Sequence, residues 1–321
     1  MRRTSAQTAT TIWLLTVSFA WGQTQTLNAR IQKLVPFAEN ERVQAAFNVH
    51  DYAQVEQILA AVPANEATRP EILAVQGALA FVAGDMHAAA GYFTAANDLK
   101  SLSNADSFTW SMALVKLGDN AGSRRVLSRL HTAEPGNALY IYWLGKIDYG
   151  ERRYADAIAK LQQALQLDAN STRTWDSLGL AYDMQGEMDQ AREAFEKAVT
   201  LNRASQHPSP WPPHNLGYLL LRAGRPLEAE ASLRESLKYD PTFVDAHYHL
   251  GRTLEKLQRN AEAVVQYKFA VDGDPAATDA CYSLAMLYRK LNREQDSVAM
   301  FAEYKRRKKT NDSPPVPDPE K

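Results

Sequence analysis

A pattern that returns every 34 residues constrains this 321-residue chain more than any other feature. The stretch WDSLGLAYDMQG, residues 175–186, spaces two large rings and two glycines over three turns of a helix. Its Leu178-Gly179 pair recurs behind as Leu144-Gly145 and, after a short insertion, ahead as Leu216-Gly217 and Leu250-Gly251. Twelve positions after each glycine comes a small residue: Ala157, Ala191, Ala229 and Ala263. Four further on stands a large apolar one: Leu161, Phe195, Leu233 and Tyr267. Periods of this length mark stacked supersecondary units, so chain length does not count domains here.

The frame extends outward with looser matches. Units occupy 70–103, 104–137, 138–171, 172–205, 210–243, 244–277 and 278–311, and a degenerate first unit covers about 36–69. Residues 206–209 interrupt the register, as a joint between a first array (23–205) and a second (210–311) or as a tolerated loop. Within a unit, apolar residues three and four apart predict two amphipathic helices of about 12 residues. Gly84, Gly118, Gly186, Gly224 and Asn292 separate them, types that accept positive φ at a helix end. The small residues let the helices approach, and Trp175, Tyr182 and Phe195 fill the remaining space. One such pair cannot bury both apolar faces, so it stacks on the next.

The motif W-x2-L-G-x2-Y with a later A-x3-F resembles the tetratricopeptide repeat, carried in register by Trp175, Leu178, Gly179, Tyr182, Ala191, Phe195 and Ala198. Two departures stand out: Arg203 where the family has proline, and Asp148 where it has a large residue. The resemblance implies an all-α fold, a right-handed superhelical solenoid of antiparallel helix pairs. It also implies a groove lined by the second, fifth, ninth, twelfth and thirteenth positions of each unit, in which partner proteins or peptides bind. Those positions hold Tyr142, Lys146 and Tyr149, then Arg173, Asp176 and Asp183, then Trp211, His214, Tyr218 and Arg222. They continue with Tyr248, Arg252, Glu255 and Lys256, then Tyr282, Arg289 and Lys290. Aromatics interleaved with Arg and Lys suit a mildly acidic partner segment. Nearer the N-terminus the wall is apolar, with Ala74, Ala78, Phe81, Phe108 and Met112, and its charges are Glu71 and Lys116. The lysine–asparagine clamp with which some relatives grip C-terminal carboxylates is not reproduced, because the fifth positions are Tyr, His or Asp.

Basic and acidic residues nearly cancel, 36 against 37, which argues against nucleic acid as a partner. Arg2 and Arg3, the apolar TIWLLTVSFAWG and small residues near position 22 read as a cleaved export signal over 1–22, hence a periplasmic or secreted protein with no stable membrane span after cleavage. One cysteine, Cys281, excludes an intrachain disulfide and reads as a buried apolar side chain. His247 and His249 are two apart on a helix and cannot chelate together, and no zinc-hydrolase spacing occurs, so no metal or other cofactor is expected. The absence of nucleophile-elbow, phosphate-loop and dinucleotide motifs points away from an enzyme. Lys305–Lys309 reads as positive charge complementing the last helix end, and 312–321 as a Pro-rich disordered tail. The reading is a non-catalytic scaffold. Its alternatives are a glycan or small-molecule module using Trp211, Tyr218 and Tyr248 as stacking platforms, and an assembly protein that self-associates through its terminal repeats.

Overall fold

The computed structural model describes residues 26–312, apart from 64, 66 and 67. The expected signal (1–22) and the tail after Asp312 lie outside the described residues. All regular structure among the described residues is helical. The chain divides into two compact units, one ending at Ile147 and one beginning at Asp148. The division falls inside a helix rather than at the 206–209 insertion.

Unit 1 holds α1 (26–34), α2 (Asn40–Asn48), α3 (Tyr52–Ala60), α4 (Arg69–Ala83), α5 (Met86–Leu99), α6 (Asn104–Leu117), α7 (Asn120–Ala133) and most of α8 (Ala138–Gly150). Unit 2 holds the end of α8, then α9 (Tyr154–Leu167), α10 (Thr172–Gln185), α11 (Met188–Arg203), α12 (Trp211–Arg222), α13 (Pro226–Tyr239), α14 (Val244–Lys256), α15 (Asn260–Gly273), α16 (Thr278–Lys290) and α17 (Glu294–Asp312). Short turns join helices that pack in pairs: α4 on α5 and α6 on α7 in unit 1, α10 on α11, α12 on α13, α14 on α15 and α16 on α17 in unit 2. First helices of neighbouring pairs also meet, α4 with α6, α10 with α12 and α12 with α14.

The Leu-Gly spacing has a steric cause. A Cβ on Gly179 would sit 2.6 Å from the Phe195 ring, and one on Gly251 would sit 2.7 Å from the Tyr267 ring. Both rings are buried, so α10 meets α11, and α14 meets α15, only because those glycines are bare. Gly186 ends α10 at φ 84°, a left-handed turn that a glycine adopts without steric penalty. Four turns do without glycine: His50 (φ 59°) and the expected Asn292 (φ 58°) carry the same geometry, and so do Arg152 (φ 62°) and Gln258 (φ 61°). The sequence gives no sign of the turns at Arg152 and Gln258, because neither residue type prefers them.

The two departures from the repeat pattern are compensated by charge. Asp148 is buried, but Lys160 Nζ lies 2.6 Å from its carboxylate and Arg153 also pairs with it. Arg203 forks onto Glu235 at 2.7 and 2.6 Å and holds that carboxyl below the usual range. The insertion is pinned too. The Asn202 side chain donates to the Ser209 carbonyl and accepts from its N–H, each at 2.8 Å, and Ser236 Oγ donates to the Pro210 carbonyl. Within the basic run, Arg306 and Arg307 bond to Glu303 and lower its pKa to about 2, while Arg307 also donates to the Val271 and Asp274 carbonyls at the end of α15. Cys281 is buried, and burial pushes its thiol pKa up.

Candidate functional site

The first helices of unit 2 carry two polar arrangements of different kinds. The first is a directed chain of hydrogen bonds. The Asp176 carboxylate on α10 can only accept, so Asn215 on α12 donates Nδ2 to it at 2.9 Å and turns Oδ1 the other way. That oxygen lies 3.2 Å from His214 Nδ1, which therefore donates. His214 Nε2 lies 2.9 Å from His249 Nδ1 of α14, one of the two nitrogens donating to the other. The His249 ring packs 4.3 Å from Tyr218 and 5.2 Å from Tyr248. Arg222 stands 5.5 Å from the Tyr218 centroid and pairs with Asp183 at 2.6 Å. This seam ties α10, α12 and α14 together through hydrogen bonds among its own side chains.

The second arrangement lies on α14 and α16. Arg252 stands 5.7 Å from the Tyr248 ring, one helical turn along, and Lys256 follows one turn later. On α16, Tyr282 is 46% exposed, with Arg289 and Lys290 two turns beyond it. The Tyr248 hydroxyl meets Ser283 of α16, and burial raises its pKa. Among the described residues no carboxylate pairs with Arg252, Lys256, Arg289 or Lys290. Two aromatic rings thus share neighbouring helices with four cations that have no carboxylate partner among the described residues.

The expected groove residues sort accordingly. Tyr218, Arg222, Tyr248, Arg252, Lys256, Tyr282, Arg289 and Lys290 are accessible in whole or part, Arg173 is exposed, and Asp176, Lys146 and Tyr149 are partly covered. Three residues depart from the expectation. Trp211 is 8% exposed, its ring 4.7 Å from Phe243; His214 is 2% exposed inside the seam; Tyr142 is 2% exposed against Trp143. Their rings are consumed in packing, so they do not present a surface, and the sugar-stacking alternative loses its tryptophan. Asn215 and His249 were missed. Both stand at the sixth position of their units, one residue past a groove position, and their partners in neighbouring repeats lie 39 residues away for Asn215 (Asp176) and 35 for His249 (His214).

Other features of unit 2 are structural. A crevice of about 430 Å³ lies over Trp175, Leu178 and Tyr182, rimmed by Gln162, Gln190 and Glu193. Its rings are already held, Trp175 donating to the Ala169 carbonyl and Tyr182 accepting from Gln162. Among the described residues no cluster of His, Cys, Asp or Glu has the form of a metal site, and no helix is long and apolar enough to cross a membrane.

The tetratricopeptide-repeat family matches the chain at residues 108–172 and 214–267, and a second tetratricopeptide-repeat pattern matches 172–205. The chain is a tetratricopeptide-repeat protein. Solved structures agree on the repeat fold. The pilF protein of Pseudomonas aeruginosa superposes with TM-score 0.57 at 15% identity, over 63% of this chain and 90% of its own. PilW, described as a widely conserved type IV pilus biogenesis factor, gives 0.56 at 18% identity, over 62% of this chain and 91% of its own. The APC/C hetero-tetramer Cut9-Hcn1 gives 0.58 at 14% identity, over 80% of this chain but 54% of the matched one. At these identities the likeness is one of fold. No curated protein matches the chain in sequence.

Proposed function

We propose that this tetratricopeptide-repeat protein is a non-catalytic scaffold whose α14–α16 face holds an acidic segment of a partner protein. One observation carries the reading: Arg252, Lys256, Arg289 and Lys290 stand beside Tyr248 and Tyr282 without carboxylate partners among the described residues. Aromatic and arginine side chains dominate binding energy at interfaces, and a cation over a ring keeps both preorganised for a carboxylate. The contrast with the α10–α12 seam supports the choice, since polar groups that already satisfy one another gain little from a ligand. In this reading the protein is exported and meets its partner at the cell envelope or outside the cell, as the pattern of residues 1–22 suggests.

A peptide-display selection against the full chain tests the site. Enriched sequences should be rich in Asp and Glu and should lose at least tenfold in affinity on the Tyr248→Ala/Arg252→Ala variant, about 1.4 kcal/mol or more. Enrichment of neutral or basic sequences, or affinities indifferent to the variant, would remove the assignment. Export is tested separately by intact mass of the protein from its native cell: a mature chain starting near Trp21 or Gln23 supports it, and a full-length mass contradicts it.

A further inference from the structure

Helix α1 lies outside the repeat frame, yet it is held by the first helices of three successive pairs. Asn28 donates to Gln44 of α2 at 2.7 Å. Arg30 donates to Glu71 of α4 at 3.0 Å and forks onto Asp106 of α6 at 2.8 and 3.1 Å. Gln44, Glu71 and Asp106 stand at the ninth, second and third positions of their units, all on first helices. A helix reaches all three only by lying across the row that those first helices form. Its apolar side follows the same course. Leu27, Ile31 and Val35, spaced four apart, join one buried cluster with Val43 and Val75, against which Ala78 and Val82 of α4 pack. Ala78 belongs to the apolar wall that the sequence assigns to the groove. Burial opposes the Arg30 charge, but its bonds to Asp106 and Glu71 outweigh that and raise its pKa.

We infer that the inner face of unit 1 is a helix-binding groove which α1 occupies in cis, and that its external ligand is an amphipathic partner helix with aliphatic residues four apart and an arginine for Asp106 and Glu71. The recognition chemistry is opposite to that proposed for α14–α16. Here the groove supplies an apolar floor and two carboxylates, one of them buried, so a ligand without a cation would leave Asp106 uncompensated. The bonds from Asn28 and Gln32 to Gln44 and from Arg30 to Glu71 are solvent-exposed, those to Asp106 are partly buried, and Pro36 ends the segment one residue past Val35, so α1 is fastened chiefly through its apolar side and the Arg30–Asp106 pair and opens as one unit. A partner therefore competes with α1, and its apparent affinity falls by the fraction of chains in which α1 is seated.

The test uses the full chain and a fluorescent peptide of the sequence 26–36. The peptide should bind the Arg30→Ala/Ile31→Ala chain, whose own α1 is weakened, at least tenfold tighter than the unaltered chain. The same peptide with Arg30→Glu should bind at least tenfold more weakly. Equal weak binding to both chains, or indifference to the charge reversal, overturns the proposal. Hydrogen exchange on the unaltered chain gives a second readout that does not rely on the variant folding. Amides of α1 should exchange at least tenfold faster than the buried amides of α4. Exchange of α1 together with α4 would make it a fixed part of the fold and would equally overturn the proposal.

Discussion

The first helices of unit 1 and those of unit 2 dispose of their polar groups differently. In unit 1 the carboxylates of Glu71 and Asp106 close on Arg30 of the chain's own α1. In unit 2 the α10–α12 groups close on one another through Asn215 and His214, while the α14–α16 cations meet no carboxylate among the described residues. The same repeat therefore yields a covered face, a self-satisfied seam and an open face. Composition does not distinguish them, since all three contain charges and rings. What distinguishes them is whether each charge has an internal partner, because an unpaired charge is one whose interaction free energy is still available to a ligand.

The largest expected effect separates the covered face from the open one. Asp106→Ala strips Arg30 of its buried partner and removes an acceptor from Ser103, so it should lower unfolding stability by about 3 kcal/mol in denaturant titration. Arg252→Ala, with no partner to orphan, should stay within about 0.5 kcal/mol. Equal losses would break the comparison. Gly251→Ala asks whether the open face rests on a rigid base: its new methyl meets the Tyr267 ring, which cannot swing away because its hydroxyl donates to Glu255 at 2.6 Å. A loss of about 2 kcal/mol is expected from such overpacking, and a neutral result would mean that α14 and α15 separate freely.

Smaller changes sharpen the seam and the turns. Asp176→Ala deletes the acceptor that orients Asn215 and should lower stability by about 1 kcal/mol while leaving peptide binding on α14–α16 unchanged. A parallel loss of binding would merge the seam with the open face. Gln258→Gly relieves the left-handed residue between α14 and α15, and a gain of about 0.5–1 kcal/mol in thermal unfolding is expected.

The repeat fold was legible because its cause is periodic: bare glycines opposite large rings must recur wherever helices pair closely. The site was legible only in part. Register places Tyr248, Arg252, Tyr282 and Arg289 on first helices, but it does not tell an accessible ring from one consumed in packing, which is why Trp211, His214 and Tyr142 fit the groove pattern without lining an open surface. Asn215 and His249 escaped because their roles depend on contacts across a full repeat, which no local pattern encodes. Helix α1 escaped because it lies outside the frame, although Leu27, Ile31 and Leu34 already had helical spacing. Arg30 gave no sign that its partner stands 76 residues away.

The most direct test of the open face is the affinity of one display-selected acidic peptide for the unaltered chain and for Tyr248→Ala/Arg252→Ala, measured by calorimetry between about 0.05 M and about 0.5 M salt. The account predicts binding that weakens steeply with salt in the unaltered chain and a variant at least tenfold weaker at the lower salt. Binding that ignores both salt and the two substitutions would contradict it.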